Sequence, residues 1–136
     1  MRLVDLTSLE EVSLPNDLLW VDELSWVPVT SAASYSLTGA LLLEAATRQK
    51  GRPITLQPPG EDMAWVRRSV ATTLHSWAEK AGRKFKLVLE YPTDTREFVV
   101  AFRHYDGPLE ASPVRGFPDH SPDDWFNITI RLIEVE

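Results

Sequence analysis

The chain has 136 residues, a length that predicts one domain, and its 43% hydrophobic and 25% charged residues are typical of a soluble globular protein. It contains no cysteine, which excludes disulfides, thiol nucleophiles and thiolate metal sites. The net charge of −6 argues against tight nucleic-acid binding, which depends on clustered lysine and arginine.

Membrane association and export are not expected. No apolar run approaches the roughly 20 residues that span a bilayer, and the N-terminus lacks the pattern of a signal peptide. We therefore expect the protein to be made in the cytoplasm and to bind no membrane.

Residues 1–30 are predicted to form an N-terminal arm or strands. A turn is expected at 13–17, where Pro15 fixes φ and Asn16-Asp17 tolerate turn geometry. The apolar run over 18–29 is interpreted as a strand.

Residues 35–56 are predicted to form a long β-hairpin. Alternate residues from Tyr35 to Ala45 share one apolar face, "RQKG" at 48–51 is read as the turn, and 52–58 as a short return strand. An unbroken strand over Tyr35–Thr47 would span about 43 Å, at ~3.3 Å per residue. A domain of this size is only about 36 Å across. Either the strand bends at Gly39, or the hairpin reaches a neighbouring molecule.

One amphipathic helix is predicted over about 62–81. Its apolar residues recur every three or four positions, acidic residues precede it, and Gly82 follows it as a C-terminal signal. The stripe consists of Met63, Val66, Val70, Leu74, Trp77, Ala78 and Ala81.

Three strands are predicted after the helix. The alternating runs at 84–91 and 96–105 flank a short turn and should pair as a hairpin, and 125–135 should form the last strand. Residues 106–124 are predicted to be an irregular loop, with regular structure only around Ala111–Val114. The order indicates an α+β fold, mainly an antiparallel β-sandwich or split barrel with one helix.

No catalytic, cofactor-binding or metal-binding site is predicted. His75 is expected on the helix at the boundary of its apolar stripe, and His104 at the edge of the core, bonded to a carbonyl. His120 lies among aspartates but lacks the ligand spacing of an EF-hand loop. Nucleophile elbows, phosphate loops and dinucleotide fingerprints are also missing from the sequence.

The tryptophans favour two interpretations. Trp65 points away from the helix stripe and is expected to be exposed, while Trp20, Trp26 and Trp125 lie at strand ends. Aromatic residues at such positions serve as the rim of a core or as interface anchors.

Several segments resemble tail proteins of long-tailed bacteriophages and prophages. The resemblance runs from about Trp20 to Val135 and is most specific in four segments, namely "GRPITL" (51–56), "FRH" (102–104), "ASPV" (111–114) and the terminal strand "DDWFNITIRLIEV". It implies the tail-tube-like module of tube, distal-tail and baseplate-hub proteins. Such a protein would be a structural virion component rather than an enzyme, and would need no cofactor.

The resemblance also implies partners. Subunits of this group form rings, usually hexameric, that stack coaxially with other tube, hub and baseplate proteins, and genomic DNA only passes through the lumen. By this analogy Arg48, Gln49, Lys50 and Gly51 form the hairpin tip, while Tyr35, Leu37, Leu41 and Leu42 pack between hairpins. Trp65 is a further interface residue, and the 106–124 loop contacts a neighbouring ring or baseplate protein.

Three other functions stay open from sequence. Within the virion, the chain could be a tail terminator or connector ring. Outside it, the chain could be a monomeric ligand-binding or hydrolytic β-barrel that uses His104 with Asp106 or Asp119. It could also be a regulatory protein that binds a host partner through exposed tryptophans.

Overall fold

The computed structural model describes residues 1–114, 119 and 121–136. These residues form one α-helix, α1 (Arg68–Ala78), and eleven strands. The strands are β1 (Arg2–Asp5), β2 (Glu11–Ser13), β3 (Leu19–Trp20), β4 (Val29–Tyr35), β5 (Leu41–Thr47), β6 (Pro53–Gln57), β7 (Trp65–Arg67), β8 (Phe85–Val88), β9 (Glu97–Phe102), β10 (Leu109–Pro113) and β11 (Trp125–Glu134). The fold is α+β, and every strand pair is antiparallel.

Nine of these strands form one sheet, in which β11 is the central strand. The main path runs β2-β1-β8-β9-β11-β6-β3, and β10 and β7 pair with the first half of β11. Because the described path has two ends, β2 and β3, the sheet is not a closed barrel. It curves strongly enough that Trp20 of β3 contacts Phe98 of β9 edge-to-face, with 5.4 Å between ring centroids.

The core follows the alternation of the sequence. Phe126, Ile128, Ile130 and Leu132 of β11 are buried, as the last predicted strand requires. The predicted hairpin of β8 and β9 is confirmed, with Phe85 opposite Val100 and Leu87 opposite Phe98.

The helix α1 covers part of this core but is shorter than predicted. Leu74 and Trp77 are buried, and the Trp77 ring stacks on Phe85 at 5.3 Å. The prediction of a helix from 62 is wrong because residues 65–67 pair with β11 as β7. Just before β7, Ala64 has φ +57°, which a helix does not allow. The helix also ends at Ala78, before Gly82.

Two further predictions need correction. Of the run 18–29, only Leu19–Trp20 is a strand in the sheet, and the chain turns over 21–25. Residues 109–113, within the predicted loop, form β10 because they pair with Phe126–Ile130 of β11. Strand structure in this loop therefore begins two residues before the expected Ala111.

The prediction of a hairpin at 35–56 is wrong about which segments pair and where the chain turns. The hairpin consists of β4 and β5, and its turn is 36–40. Residues 53–57 belong to the main sheet, where β6 pairs with β11 and β3. The sequence pattern misleads because Tyr35 pairs with Leu41, so both strands keep the same odd-numbered apolar face through the turn.

Candidate subunit interface

Strands β4 and β5 form a separate two-stranded sheet, which we call the arm (residues 29–47). Every residue of both strands is exposed. At ~3.3 Å per residue, its seven-residue strands carry the tip about 23 Å from the root. Neither predicted alternative holds as stated: the chain does not merely bend at Gly39 but reverses over 36–40, and the hairpin that projects is 29–47 rather than 35–56.

The turn at the tip is fixed by short-range hydrogen bonds. Ser36 N donates to Ala40 O and Gly39 N to Ser36 O, both at 2.9 Å. The Ser36 hydroxyl accepts a bond from Ala40 N at 3.1 Å. Gly39 has φ +84°, a conformation that residues with a Cβ rarely adopt, and it allows this turn to close.

The two faces of the arm differ in polarity. Cross-strand partners share a face, so the odd-numbered residues form what we call the apolar face. It contains Val29, Ser31, Ala33, Tyr35, Leu41, Leu43, Ala45 and Thr47. The opposite face is mixed and includes Leu42 and Glu44, the only charged residue of the arm. The predicted interface residues Tyr35 and Leu41 therefore share one face, and Leu42 lies on the other.

Large apolar side chains on the arm face solvent. Tyr35 is 75% exposed, Leu43 66% and Leu37, at the tip, fully. Contiguous exposed apolar surface of this kind marks interaction sites in soluble proteins. An isolated two-stranded hairpin is also marginally stable in water, so the arm gains from a partner.

The arm also presents unpaired backbone groups. Hydrogen bonds close the hairpin at Ser36 N to Ala40 O and at Arg48 N to Pro28 O. Because bonded and non-bonded pairs alternate in an antiparallel ladder, the pairs between them that point outward are 29:47, 31:45, 33:43 and 35:41. Each outer edge of the arm therefore offers four residues whose N–H and C=O groups are available for strand addition.

Arg48, Gln49, Lys50 and Gly51 lie at the root of the arm, which corrects their prediction as its tip. Arg48 N donates to Pro28 O at 2.7 Å, and Gly51 N to Glu134 O of β11 at 3.0 Å. The first bond closes the root of the arm, and the second fastens the chain after it to the end of the central strand.

A polar network fastens the segment that leads into the arm. Asp22 accepts hydrogen bonds from Thr55 N at 3.0 Å and from the Thr55 hydroxyl at 2.8 Å. The same hydroxyl accepts from the guanidinium of Arg103, a buried side chain that also pairs with Asp106 at 3.4 Å. The network joins residues before the arm to β6 and to the end of β9.

A second feature of the surface is a groove of about 550 Å³ beside β3. We call it the β3 groove, and its lining consists of Met1, 16–20, Glu23, Pro59, Met63, Leu89 and 91–94. Its carboxylates already have partners. Asp17 accepts from Ala64 N at 3.0 Å, and Arg96 binds Asp94 at 2.7 Å and Glu23 at 3.2 Å. Burial, reinforced by Asp94, Glu23 and Asp17, raises the pKa of Tyr91 above its ordinary value.

The exposed tryptophans form a smaller patch. Trp65 and Trp125 are 6.3 Å apart, and the Arg67 guanidinium lies 3.8 Å from the centre of the Trp125 ring. Trp65 is partly exposed, as expected, but on β7 rather than on the helix. Trp20 is a core residue, and Trp26 is half-buried beneath Arg52.

The two described histidines, His75 and His104, lie apart from these surfaces. His104 is exposed in a short 3₁₀ turn, and its Nε2 is 2.6 Å from Ala78 O, the carbonyl bond expected from sequence. His75 pairs with Glu79 at 2.9 Å. His120 lies outside the described residues. Within the described part of the chain, no three His, Asp or Glu side chains are grouped as a metal site would require.

The α-helix of the described chain is too short and too polar to cross a membrane. Comparisons with protein-family models, curated proteins and solved structures gave no match to this chain.

The sequence did not identify all of the interface candidates. Leu43, which is as exposed as its neighbours on the apolar face, and the residues of β4 other than Tyr35 were not predicted as interface. The segment "SLTGA" contains the signal that could have found them, because serine, threonine and glycine between two apolar runs favour a turn.

Proposed function

We propose that the protein is a structural subunit of a phage tail that assembles into a ring around the DNA channel. The observation that supports this proposal most is the arm, an exposed apolar hairpin with open edges. A surface of this kind matches an assembly subunit better than a protein that works alone.

The proposal places the subunit at the distal tail or baseplate, where the tube joins the hub. There the nine-stranded sheet and its helix would serve as the tail-tube-like module, and the arm would contact the adjacent subunit. The arm has nineteen residues, close to the roughly 20–30 that each partner contributes to a stable interface.

Charge is consistent with the same role. At a net charge of −6, a ring lined by this chain would repel DNA rather than retain it. In this proposal the ring is hexameric, the neighbours are other tail proteins, and no residue is catalytic.

The experiment compares the wild type with a variant that lacks the arm. Pro28 and Arg48 are joined by a backbone hydrogen bond, so a two-residue Asn-Gly turn can replace residues 29–47 without opening the root. Light scattering and negative-stain images should show closed rings for the wild type and folded monomers for the variant. A wild type that stays monomeric at high concentration, or rings formed without the arm, would contradict the proposal.

A further inference from the structure

We propose that the arm tip of one copy, centred on Leu37, docks into the β3 groove of the next copy. This inference rests on the proposed ring function and adds to it the acceptor surface, which neither the sequence nor the resemblance identifies.

The tip is an uncharged apolar knob. Leu37 is the most exposed large apolar side chain of the described residues, and the pair Tyr35 and Leu41 lies directly behind it. The turn 36–40 carries no charge, and Glu44 lies on the other face. Burial of such side chains away from water is favourable, so the tip gains from an apolar site.

The β3 groove offers such a site. Its lining includes Leu18, Leu19, Pro59, Met63 and Leu89, and Leu19 and Met63 are about half exposed. Two of the groove's carboxylates, Asp94 and Glu23, pair with Arg96, and the third, Asp17, accepts a hydrogen bond from Ala64 N. An uncharged apolar segment suits this lining, because a charged group would lose its hydration against the leucine, proline and methionine side chains.

The groove has room for the tip. Its volume of about 550 Å³ falls within the roughly 300–1,000 Å³ of sites that enclose drug-sized groups. No residue of the arm lines it, so the molecule's own arm leaves it open.

The root of the arm and the β3 groove lie at opposite ends of β6, an arrangement that suits a head-to-tail contact between copies. The root of the arm lies at the Pro53 end of β6, where Gly51 binds Glu134 and Pro53 pairs with Ile133. The groove lies at the other end, where Leu19 pairs with Gln57 and the chain continues to Pro59. The strand between them is about 17 Å long, at ~3.3 Å per residue. In the proposed head-to-tail contact the knob and the acceptor are different surfaces, so the interface is heterologous and closes into a ring or continues as a filament.

Because the chain has no cysteine, disulfide trapping tests this contact directly. Leu37→Cys is prepared in one batch and Thr93→Cys, at the exposed rim of the groove, in another. The batches are mixed under mild oxidation and analysed by non-reducing mass spectrometry. The matched control replaces Thr93→Cys with Ser76→Cys, an exposed helix position outside the groove.

We expect the yield of the disulfide between the Leu37→Cys and Thr93→Cys variants to exceed that between Leu37→Cys and Ser76→Cys by at least tenfold. Equal yields, or a dominant tip-to-tip Leu37 dimer, would overturn the inference. Rings that form without the Leu37–Thr93 product would leave the proposed function standing and refute the groove contact. If the disulfide between positions 37 and 93 forms but only open chains or dimers are seen, the proposed ring is refuted and the groove contact is supported. A protein that is monomeric throughout and is not trapped would refute both.

A second variant checks the groove without cysteine chemistry. Thr93→Arg places a bulky charge at the groove rim and should weaken self-association at least tenfold, whereas Ser76→Arg should not. Equal association of both variants would contradict the groove contact.

Discussion

Tyr35 and Leu41 lie directly opposite each other at the outer end of a hairpin whose residues are all exposed. Their side chains cover one another only in part, since Tyr35 is 75% exposed and Leu41 55%. Such a pair contributes less than 1 kcal/mol to a sheet. The function we propose for the arm therefore depends on what covers these side chains in the assembly.

The apolar face should carry more of the self-association than the mixed face. Leu43→Ser removes an exposed leucine from the apolar face, and Ala46→Ser is the matched control on the mixed face of the same strand. We expect Leu43→Ser to weaken association about tenfold or more, and Ala46→Ser to change it little. Sedimentation velocity over a concentration series measures both, and equal effects of the two substitutions would contradict the assignment of faces.

A substitution in the turn at the tip should weaken self-association without lowering the stability of the folded domain. Gly39 and Gly82 both have positive φ, +84° and +73°, and an alanine there costs about 1–2 kcal/mol of backbone strain. Since the arm lies outside the main sheet, Gly39→Ala should weaken association but leave the melting temperature of the body unchanged. Gly82→Ala, outside the arm, should lower the melting temperature and spare association. If Gly39→Ala destabilised the whole domain, the arm would not be independent.

The Thr55 hydroxyl should stabilise the segment before the arm. Thr55→Val leaves Asp22 and the buried guanidinium of Arg103 each with one partner fewer, which should cost about 1–3 kcal/mol of unfolding free energy. Thr55→Ser retains the hydroxyl and should recover most of this loss. Urea titration measures both variants, and equal losses would show that the hydroxyl alone does not account for the stability of this segment.

Asp5 should make stability depend on acidic pH. Burial alone would raise its pKa, but hydrogen bonds from Thr7 N and the Ser8 hydroxyl and the ion pair with Arg83 at 3.0 Å outweigh it, so the pKa lies below its ordinary value. A carboxylate whose pKa is lowered by folding stabilises the protein above its unfolded pKa, near 3.8. That contribution is lost as the pH falls through the lower, folded value.

The test is Asp5→Asn, which removes the charge but retains the size. It should cost about 1–3 kcal/mol at pH 7, and the difference from wild type should shrink as the pH falls below 3.8. Urea titrations at pH 7 and pH 3 give the comparison. A difference that is the same at both pH values would show that the Asp5 charge does not stabilise the fold.

Much of the main sheet could be predicted from the sequence, because its apolar residues alternate within single strands. The alternation from Phe126 to Leu132 predicted the central strand, and the alternating runs that contain Phe85 and Phe98 predicted the β8–β9 hairpin. The short strands were harder. Residues 65–67 have apolar spacing that also suits a helix. They form a strand because they pair with β11, a long-range contact that the local sequence does not show.

The arm was predicted as part of a long hairpin at 35–56, which was located incorrectly. Its five-residue turn keeps the odd-numbered apolar pattern in phase, so periodicity alone cannot show where the chain reverses. The β3 groove had no sequence signal, because it brings together residues 16–23, 59–63 and 89–94 from distant parts of the chain.

Amide hydrogen exchange of residues 29–47 as a function of protein concentration tests the central claim most directly. A bare hairpin is marginally stable, so its amides should exchange rapidly in dilute protein. At concentrations where the protein assembles, the outward amides of β4 or β5 should become protected, while the core amides of β11 remain protected throughout. If the arm exchanges rapidly at every concentration, no other copy covers it and the account is wrong.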